Sequence, residues 1–208
     1  MPPVGKQERR PEEAEPQLEK PREPEAAAEN AEPQAELKWK FQVLADREAR
    51  WSESRYWRDF AIGHAWIRVI APEGDYDSWG YWPDLWSGQG VDPRAPWKSV
   101  PGKVLHPDEQ HVPNAQHTYE IDAEKAQKVT DAANAKESSP GMYNLFSYNC
   151  TTFAIEMARA AGVSPPGGTL LGIANPNSIY QGIARMNADQ GLDAMGQRQV
   201  ENAGEGEE

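Results

Sequence analysis

The chain has 208 residues, of which 38% are hydrophobic and 26% charged, so it fits one ordinary domain with tails and is too short for two comfortable cores. Its formal net charge of −12 argues against a nucleic acid partner, because affinity for phosphate requires clustered lysine and arginine. A single cysteine excludes an internal disulfide, and four scattered histidines beside one thiol do not predict a zinc site. We therefore expect no metal and no cofactor.

Both ends of the chain have the composition of segments that do not fold. Residues 1–37 are dense in Pro, Glu, Gln and Ala, which predicts a disordered leader, and residues 187–208 predict an acidic, flexible tail. Neither the start MPPVGKQERRPEEAEP nor any later run has the apolar length of a signal peptide or a membrane span. We expect a folded domain over residues 38–186, made in the cytoplasm without an ordinary signal peptide and without an integral membrane segment.

The first half of this domain predicts one helix and one hairpin. Residues 46–63 mix aromatic and charged side chains at helical spacing, which is typical of a short amphipathic helix. The next stretch, GHAWIRVIAPEGDYDSWGYWPD, alternates along two runs on either side of the turn sequence PEGD and predicts a β-hairpin. Residues 85–115 are rich in Pro, Gly and Trp, which predicts a long irregular connection.

The second half predicts a strand and three helices. QHTYEID is typical of a strand, and Asp122 at its end is placed to cap the helical segment AEKAQKVTDAANAK. Another helix begins near Cys150, after the apolar segment MYNLFSYN, and Gly162 stops it. A last helical pattern follows in NPNSIYQGIARMN, with Asn177 or Ser178 as its cap.

The only cysteine lies where a helix is predicted to begin. Apolar residues follow Cys150 at helical spacing, at Phe153, Ala154 and Met157, so its side chain is expected to face the domain interior. The free N–H groups and the dipole of a first helical turn lower a thiol's pKa and suit that turn to hold an oxyanion. A lone cysteine on the core-facing edge of a helix is more often a packing residue. Its position alone therefore leaves both interpretations open.

A nucleophilic cysteine needs a base, and His64 at the start of the predicted hairpin is the candidate. A histidine within hydrogen-bond reach of the thiol takes its proton and later returns it to a leaving group. The two segments GHAWIRVIAPEGDYDSWGYWPD and YNLFSYNCTTFAIEMARAAGVSPP, in this order, resemble the histidine hairpin and the cysteine helix of circularly permuted papain-like proteins. This group contains the permuted NlpC/P60 and LRAT-like enzymes, and the resemblance spans residues 63–166.

The resemblance implies an α+β, permuted papain-like fold in which a small antiparallel sheet packs against the cysteine-bearing helix. It also implies a thiol hydrolase or acyl transferase with Cys150 as nucleophile and His64 as general base. Such families add a polar residue that orients the imidazole, on the strand after the histidine strand. With the hairpin folded at the PEGD turn, the residue opposite His64 is close to Asp84, and Tyr81 is the alternative.

Aromatic and polar side chains beside the two motifs are the candidates for substrate binding. They are Trp66, Tyr81, Trp82, Trp86, Asn149 and Thr151. Clustered tryptophans most often fill a core, whereas tryptophans near a cleft stack on a sugar, an acyl chain or a peptide. His106, His111 and His117 are interpreted as loop or surface residues, because no spacing gathers them with Asp108 into a metal site. Of these, His117 is the one placed to orient His64 or to line the cleft.

Two functions from different classes follow. The first is a cysteine-dependent hydrolase or acyl transferase that acts on an amide or ester, with a peptidoglycan peptide, an acyl lipid or a host protein as substrate. By analogy it would be a bacterial effector or toxin, with the leader loading it into a specialised secretion apparatus and with an immunity protein as a further partner. The second is a non-catalytic papain-like binding module that uses its Trp-rich loop as a recognition surface.

Overall fold

The computed structural model describes residues 38–47, 63–92, 95–167 and 174–198. These residues form an α+β fold of a six-stranded antiparallel sheet and three α-helices. The strands are β1 (Trp39–Asp46), β2 (His64–Ile70), β3 (Tyr76–Pro83), β4 (Val100–Leu105), β5 (Ala115–Ile121) and β6 (Met142–Tyr143), in the spatial order β5-β1-β2-β3-β4-β6. The helices are α1 (Ala123–Ser138), α2 (Cys150–Ala160) and α3 (Pro176–Ala188). The predicted leader and nearly all of the predicted amphipathic helix over residues 46–63 lie outside the described residues.

The predicted hairpin is present as β2 and β3. Its ladder runs from the pair Ile70 and Tyr76 to the pair Trp66 and Gly80. Gly74 closes the turn with a φ of 106°, a backbone conformation that side chains with a Cβ rarely adopt. The turn thereby fixes the register of both strands, and the register decides which side chains share a face of the sheet.

The two faces of the sheet have different surroundings. On one face, alternate residues of β1 and β2, such as Val43 and Ile67, join the apolar side chains of all three helices in one buried core. The intervening residues of β2, which include His64, point to the opposite face. A loop over residues 106–111 lies against that second face, since Asp108 bonds to His64 there and Glu109 bonds to Arg68. The candidate site lies at the end of the sheet where this loop and α2 meet.

The helix ends follow from side-chain caps. Asp122 accepts a hydrogen bond from the Lys125 amide at the start of α1, as predicted. The predicted caps of α3 are wrong by two or three residues, because Asn175 is the cap and accepts from the Ser178 amide. Pro176 takes the first helical position, where its missing N–H costs nothing.

The fold continues past the predicted boundary at residue 186. Asn187 is 1% exposed and donates to the carbonyls of Gln116, Asp193 and Ala194. Residues 189–198 are therefore held against β5, and the rest of the predicted tail, residues 199–208, lies outside the described residues. None of the helices in the described ranges has the length and apolar character needed to cross a membrane.

Candidate active site

Cys150 is the first residue of α2 and is 4% exposed. The preceding residue, Asn149, caps the helix by accepting hydrogen bonds from the amides of Thr151 and Thr152. The Asn149 side chain also donates to the carbonyls of Leu145 and Ala174, which fixes the helix start to two neighbouring segments. The thiol is thus held at the end of the helix where the backbone N–H groups and the dipole favour a negative charge.

His64 opens β2 and is 2% exposed. Its Nε2–H donates to Asp108 Oδ2 at 2.7 Å, which leaves Nδ1 as the ring nitrogen for the Cys150 thiol beside it. Burial by itself would lower the pKa of His64. The hydrogen bonds and negative charges of Asp108 and Cys150 outweigh burial and raise that pKa to about 9. The imidazole is therefore held in its protonated form at neutral pH.

The thiol responds in the opposite direction. Burial alone would raise the pKa of Cys150, but the hydrogen bond and the positive charge of His64 lower it below its usual value. The Ala65 amide donates to the same sulfur and adds to this effect. Both shifts favour a thiolate beside an imidazolium, which is the charge distribution that a cysteine nucleophile uses.

Asp108 completes a chain of three groups and is 1% exposed. Its backbone N–H donates to Ser78 Oγ at 3.0 Å, and Trp82 Nε1–H donates to Oδ2 at 2.9 Å. The Trp82 ring lies against His64 with 3.9 Å between ring centroids. Gly80 faces this pair, and a Cβ there would overlap Asp108 Oδ2 and press on His64 Nε2. Only glycine leaves room at this position for the acid to reach the imidazole.

The structure gives the orienting position to Asp108 and not to Asp84. The observed ladder pairs Trp66 with Gly80, and its continuation by two residues places Trp82 opposite His64. Asp84 instead caps the short 3-10 helix Leu85–Ser87 and accepts from the Trp86 amide. The sequence signal for Asp108 is weak, because the residue lies in a long segment for which the sequence predicts no regular structure. Long loops without secondary structure are often functional, and this was the one available hint.

Tyr143 is a further site residue that the sequence did not indicate. Burial raises the pKa of its phenol well above the usual value, and the neighbouring negative charge of Cys150 raises it further. The hydroxyl donates to the Cys150 sulfur, and its oxygen accepts a hydrogen bond from the Cys150 backbone N–H. A neutral phenol O–H thus lies next to the sulfur, where it can donate to an oxygen that becomes negative during acyl transfer.

The predicted substrate-binding residues fall into two groups. Trp82 and Trp86 line an open cleft of about 430 Å³. The other four are buried, and they are Trp66, Tyr81, Asn149 and Thr151. Trp66 stacks on His64, and Tyr81, the alternative orienting residue, lies on the helix-facing side and donates to the Pro140 carbonyl. These four residues lie in the interior next to the site and do not line the open cleft.

The remaining histidines each have another partner. His111 Nδ1 contacts Asp46 at 2.8 Å, and its ring packs on Trp82 at the edge of the site. His106 stacks on Trp79. His117 is buried on the helix-facing side of β5 and hydrogen-bonds with Asn187, so it neither orients His64 nor lines the cleft. In the described ranges, no three side chains of His, Cys, Asp or Glu gather as a set of metal ligands.

In comparisons with protein-family models, with curated proteins and with solved structures, no match to this chain was found. Within the described residues, Asp108, His64 and the Cys150 thiol form a continuous chain of polar contacts, and the Tyr143 hydroxyl lies beside the sulfur.

Proposed function

We propose that this protein is a cysteine-dependent hydrolase or acyl transferase that acts on an amide or ester bond through an acyl-enzyme. The observation that carries the proposal is the hydrogen-bonded chain from Asp108 through His64 to the Cys150 thiol at the start of α2. A packing cysteine needs neither a charged imidazole partner nor a buried carboxylate behind that imidazole. Maintaining three buried polar groups in one chain is costly unless they act together.

The acylation step follows from this arrangement. The Cys150 thiolate attacks the carbonyl carbon of the substrate, a C–S bond forms, and the electron pair of the C=O bond moves onto oxygen. The Tyr143 hydroxyl, which lies beside the sulfur, would stabilise that oxyanion. The C=O bond re-forms as the leaving amine or alcohol departs, and His64 gives it the proton held on the ring. Asp108 keeps the imidazole oriented through this transfer.

The second step releases the acyl group. His64, now neutral, takes a proton from water or from another acceptor, which attacks the thioester carbon. Collapse of the second oxyanion breaks the C–S bond and returns the thiolate and the imidazolium. The same residues serve hydrolysis and transfer, so the proposal covers both outcomes.

We extend the proposal to a permuted papain-like arrangement. A histidine strand precedes the cysteine helix along the chain, and the helix packs on an antiparallel sheet with its first residue at the imidazole. The effector role, the export by a specialised apparatus and the immunity partner depend on residues 1–37 and on analogy. They stay predictions.

A non-catalytic binding module is the second candidate, and one observation favours it. Cys150 is 4% exposed, which is typical of a cysteine that fills a core. In that case the thiol would be inert to reagents at every pH. The two candidates therefore differ in a single measurable property, the reactivity of one sulfur.

The deciding experiment follows the thiol directly. Alkylation of the full chain by iodoacetamide is measured from pH 4 to 10, with Cys150→Ser to identify the adduct and His64→Ala to test the partner. We expect a midpoint well below the roughly 8.5 of a free thiol, shifted upward in His64→Ala. Incubation with p-nitrophenyl acetate should give a burst of p-nitrophenol and an acetyl adduct on Cys150 by mass. A thiol that stays unreactive at all pH values would favour the binding module.

A further inference from the structure

A cleft of about 430 Å³ opens beside the candidate active site. Its walls come from the end of β3, the 3-10 helix after it and the adjacent strand β4. Trp82 belongs to both sites, because it lines the cleft and also lies against His64 with 3.9 Å between ring centroids. Gln110, two residues after Asp108 in the loop, lines the same cleft. A ligand in the cleft would therefore lie next to the reacting groups.

The walls of this cleft are mainly apolar. Trp86 and Leu85 are strongly exposed, with 89% and 57% of their surfaces open to solvent, and both line the cleft. Leu105 lines it from β4. Single exposed apolar side chains are common on protein surfaces, whereas contiguous ones such as these often contact a ligand or a partner. Two indole rings and two leucines favour a flat or branched hydrocarbon group of side-chain size.

Lys103 supplies the charge of the cleft. It lies directly opposite Trp82 in the β3–β4 ladder, so both side chains share the face of the sheet on which the cleft opens. The carboxylates nearest in sequence or across the sheet have other partners, since Asp84 caps the 3-10 helix and Glu109 bonds to Arg68 and Ser78. Among the residues that the structure describes, the lining of the cleft includes no acidic side chain. The chain has a net charge of −12, but a half-buried lysine among apolar walls gives this cleft a local preference for an anion.

We propose that this cleft, the Trp82–Trp86 cleft, is a substrate subsite for an apolar group that carries a carboxylate, such as an apolar amino acid residue with a free carboxyl. The apolar part packs between the indoles and the leucines, and the carboxylate pairs with Lys103 while the Gln110 amide offers a further donor. The proposal rests on the proposed function, because the subsite positions the substrate for Cys150. The subsite would restrict the class of substrates to those that carry an apolar group together with a carboxylate.

Binding is tested without any turnover. The full chain is titrated with 4-phenylbutyrate and with the neutral amide of the same size, 4-phenylbutyramide, and the indole N–H signals of Trp82 and Trp86 are followed by NMR. We expect saturable shifts with both probes and about fivefold tighter binding of the acid, the size of a partly exposed ion pair. In Lys103→Met the preference for the acid should vanish. Lys98→Met removes an exposed lysine outside the cleft and should preserve it.

Three results would overturn the subsite: no saturable shift, equal binding of acid and amide to the wild type, or an unchanged preference in Lys103→Met. The same titration of Cys150→Ser should give unchanged binding of both probes, because the subsite does not require the thiol. This result would test the subsite separately from the proposed function. A Cys150-dependent burst with a neutral ester would support the enzymatic function. If the acid and the amide nevertheless bind equally, the subsite proposal is wrong. If the Cys150 thiol is unreactive while binding of the acid still depends on Lys103, the proposed enzymatic function is wrong. The cleft is then a carboxylate-binding site and not a substrate subsite.

Discussion

Two buried histidines on the same sheet, His64 and His117, have very different surroundings. Their exposed fractions are 2% and 4%, and their strands flank β1 on opposite sides. His64 lies at a strand end and contacts a carboxylate and a thiol, both of which carry negative charge. His117 lies in mid-strand and contacts the amide of Asn187, which carries none. Burial is therefore a poor guide to chemical function, and the charge of the partner is the better one.

The charge of the partner also explains why the two histidines contribute to different properties. A buried imidazole beside an amide joins strand to helix, here β5 to α3, and its contribution is to stability. A buried imidazole between a carboxylate and a thiol has a raised pKa and lowers the pKa of the thiol, so we propose that its contribution is to reactivity. Substitutions can test this division directly, because they should separate the two properties.

The largest expected effect comes from removing each histidine in turn. His64→Ala should lower kcat/KM for an activated ester by about 10³-fold, because the thiolate loses its counter-ion and the leaving group loses its acid. His117→Ala should keep the activity per folded molecule and cost about 1–3 kcal/mol of unfolding free energy, since the Asn187 Oδ1 atom loses the imidazole that hydrogen-bonds to it and stays buried. Ester kinetics and urea unfolding measure both quantities. An equal loss of activity in the two variants would contradict the comparison.

Removing the proposed oxyanion donor should have the next largest effect. Tyr143→Phe keeps the ring in the core and deletes only the hydroxyl beside Cys150. We expect kcat to fall by about 10²-fold, the usual cost of one such donor, with KM nearly unchanged. Tyr119→Phe is the matched control, because this hydroxyl donates to the Ser164 carbonyl away from the site. A Tyr143→Phe protein with normal kcat would exclude the hydroxyl from the oxyanion site.

Replacing the acid should change both the rate and its pH dependence. The pKa of His64 is raised from 6.5 to about 9 with Asp108 as the first of the groups that raise it, so the protonated imidazole persists up to that pH. The alkaline limb of kcat/KM should therefore lie near pH 9 in the wild type. Asp108→Asn removes the negative charge, so the limb should move to lower pH and the rate at neutral pH should fall by about 50-fold. A limb that stays in place would show that Asp108 does not control the imidazole.

A contrast between local and long-range interactions explains which elements the sequence could predict. The hairpin, α1 and the start of α2 depend on alternation, on a turn and on helix caps, which are signals within a few residues. β4 contains Pro101 and Gly102, which weaken the strand pattern, and β1 is defined by pairing with strands that are distant in sequence. For these reasons the sequence pattern predicts neither strand.

The candidate site divides in the same way. Cys150 and His64 each open a regular element, so the local pattern marked both of them. Asp108 and Tyr143 reach the site from a loop and from a two-residue strand, and only tertiary packing brings them there. The expected hairpin register is shifted by about two residues from the observed one, which places Trp82 opposite His64, and even the observed register does not indicate Asp108, because that residue comes from a loop outside the hairpin. The carboxylate beside His64 can therefore be identified only once the tertiary structure is known.

The smallest expected effect concerns the residue that joins the site to its neighbouring cleft. Trp82→Phe keeps an aromatic ring over His64 but deletes the N–H that donates to Asp108 Oδ2. We expect kcat/KM to fall by about fivefold, because the carboxylate loses one of the two groups that position it. The deleted donor had withdrawn negative charge from Oδ2, so the pKa of His64 should rise and the alkaline limb should move to higher pH. That direction is opposite to the one expected for Asp108→Asn, so a purely steric effect of the smaller ring would leave the limb where it is in the wild type.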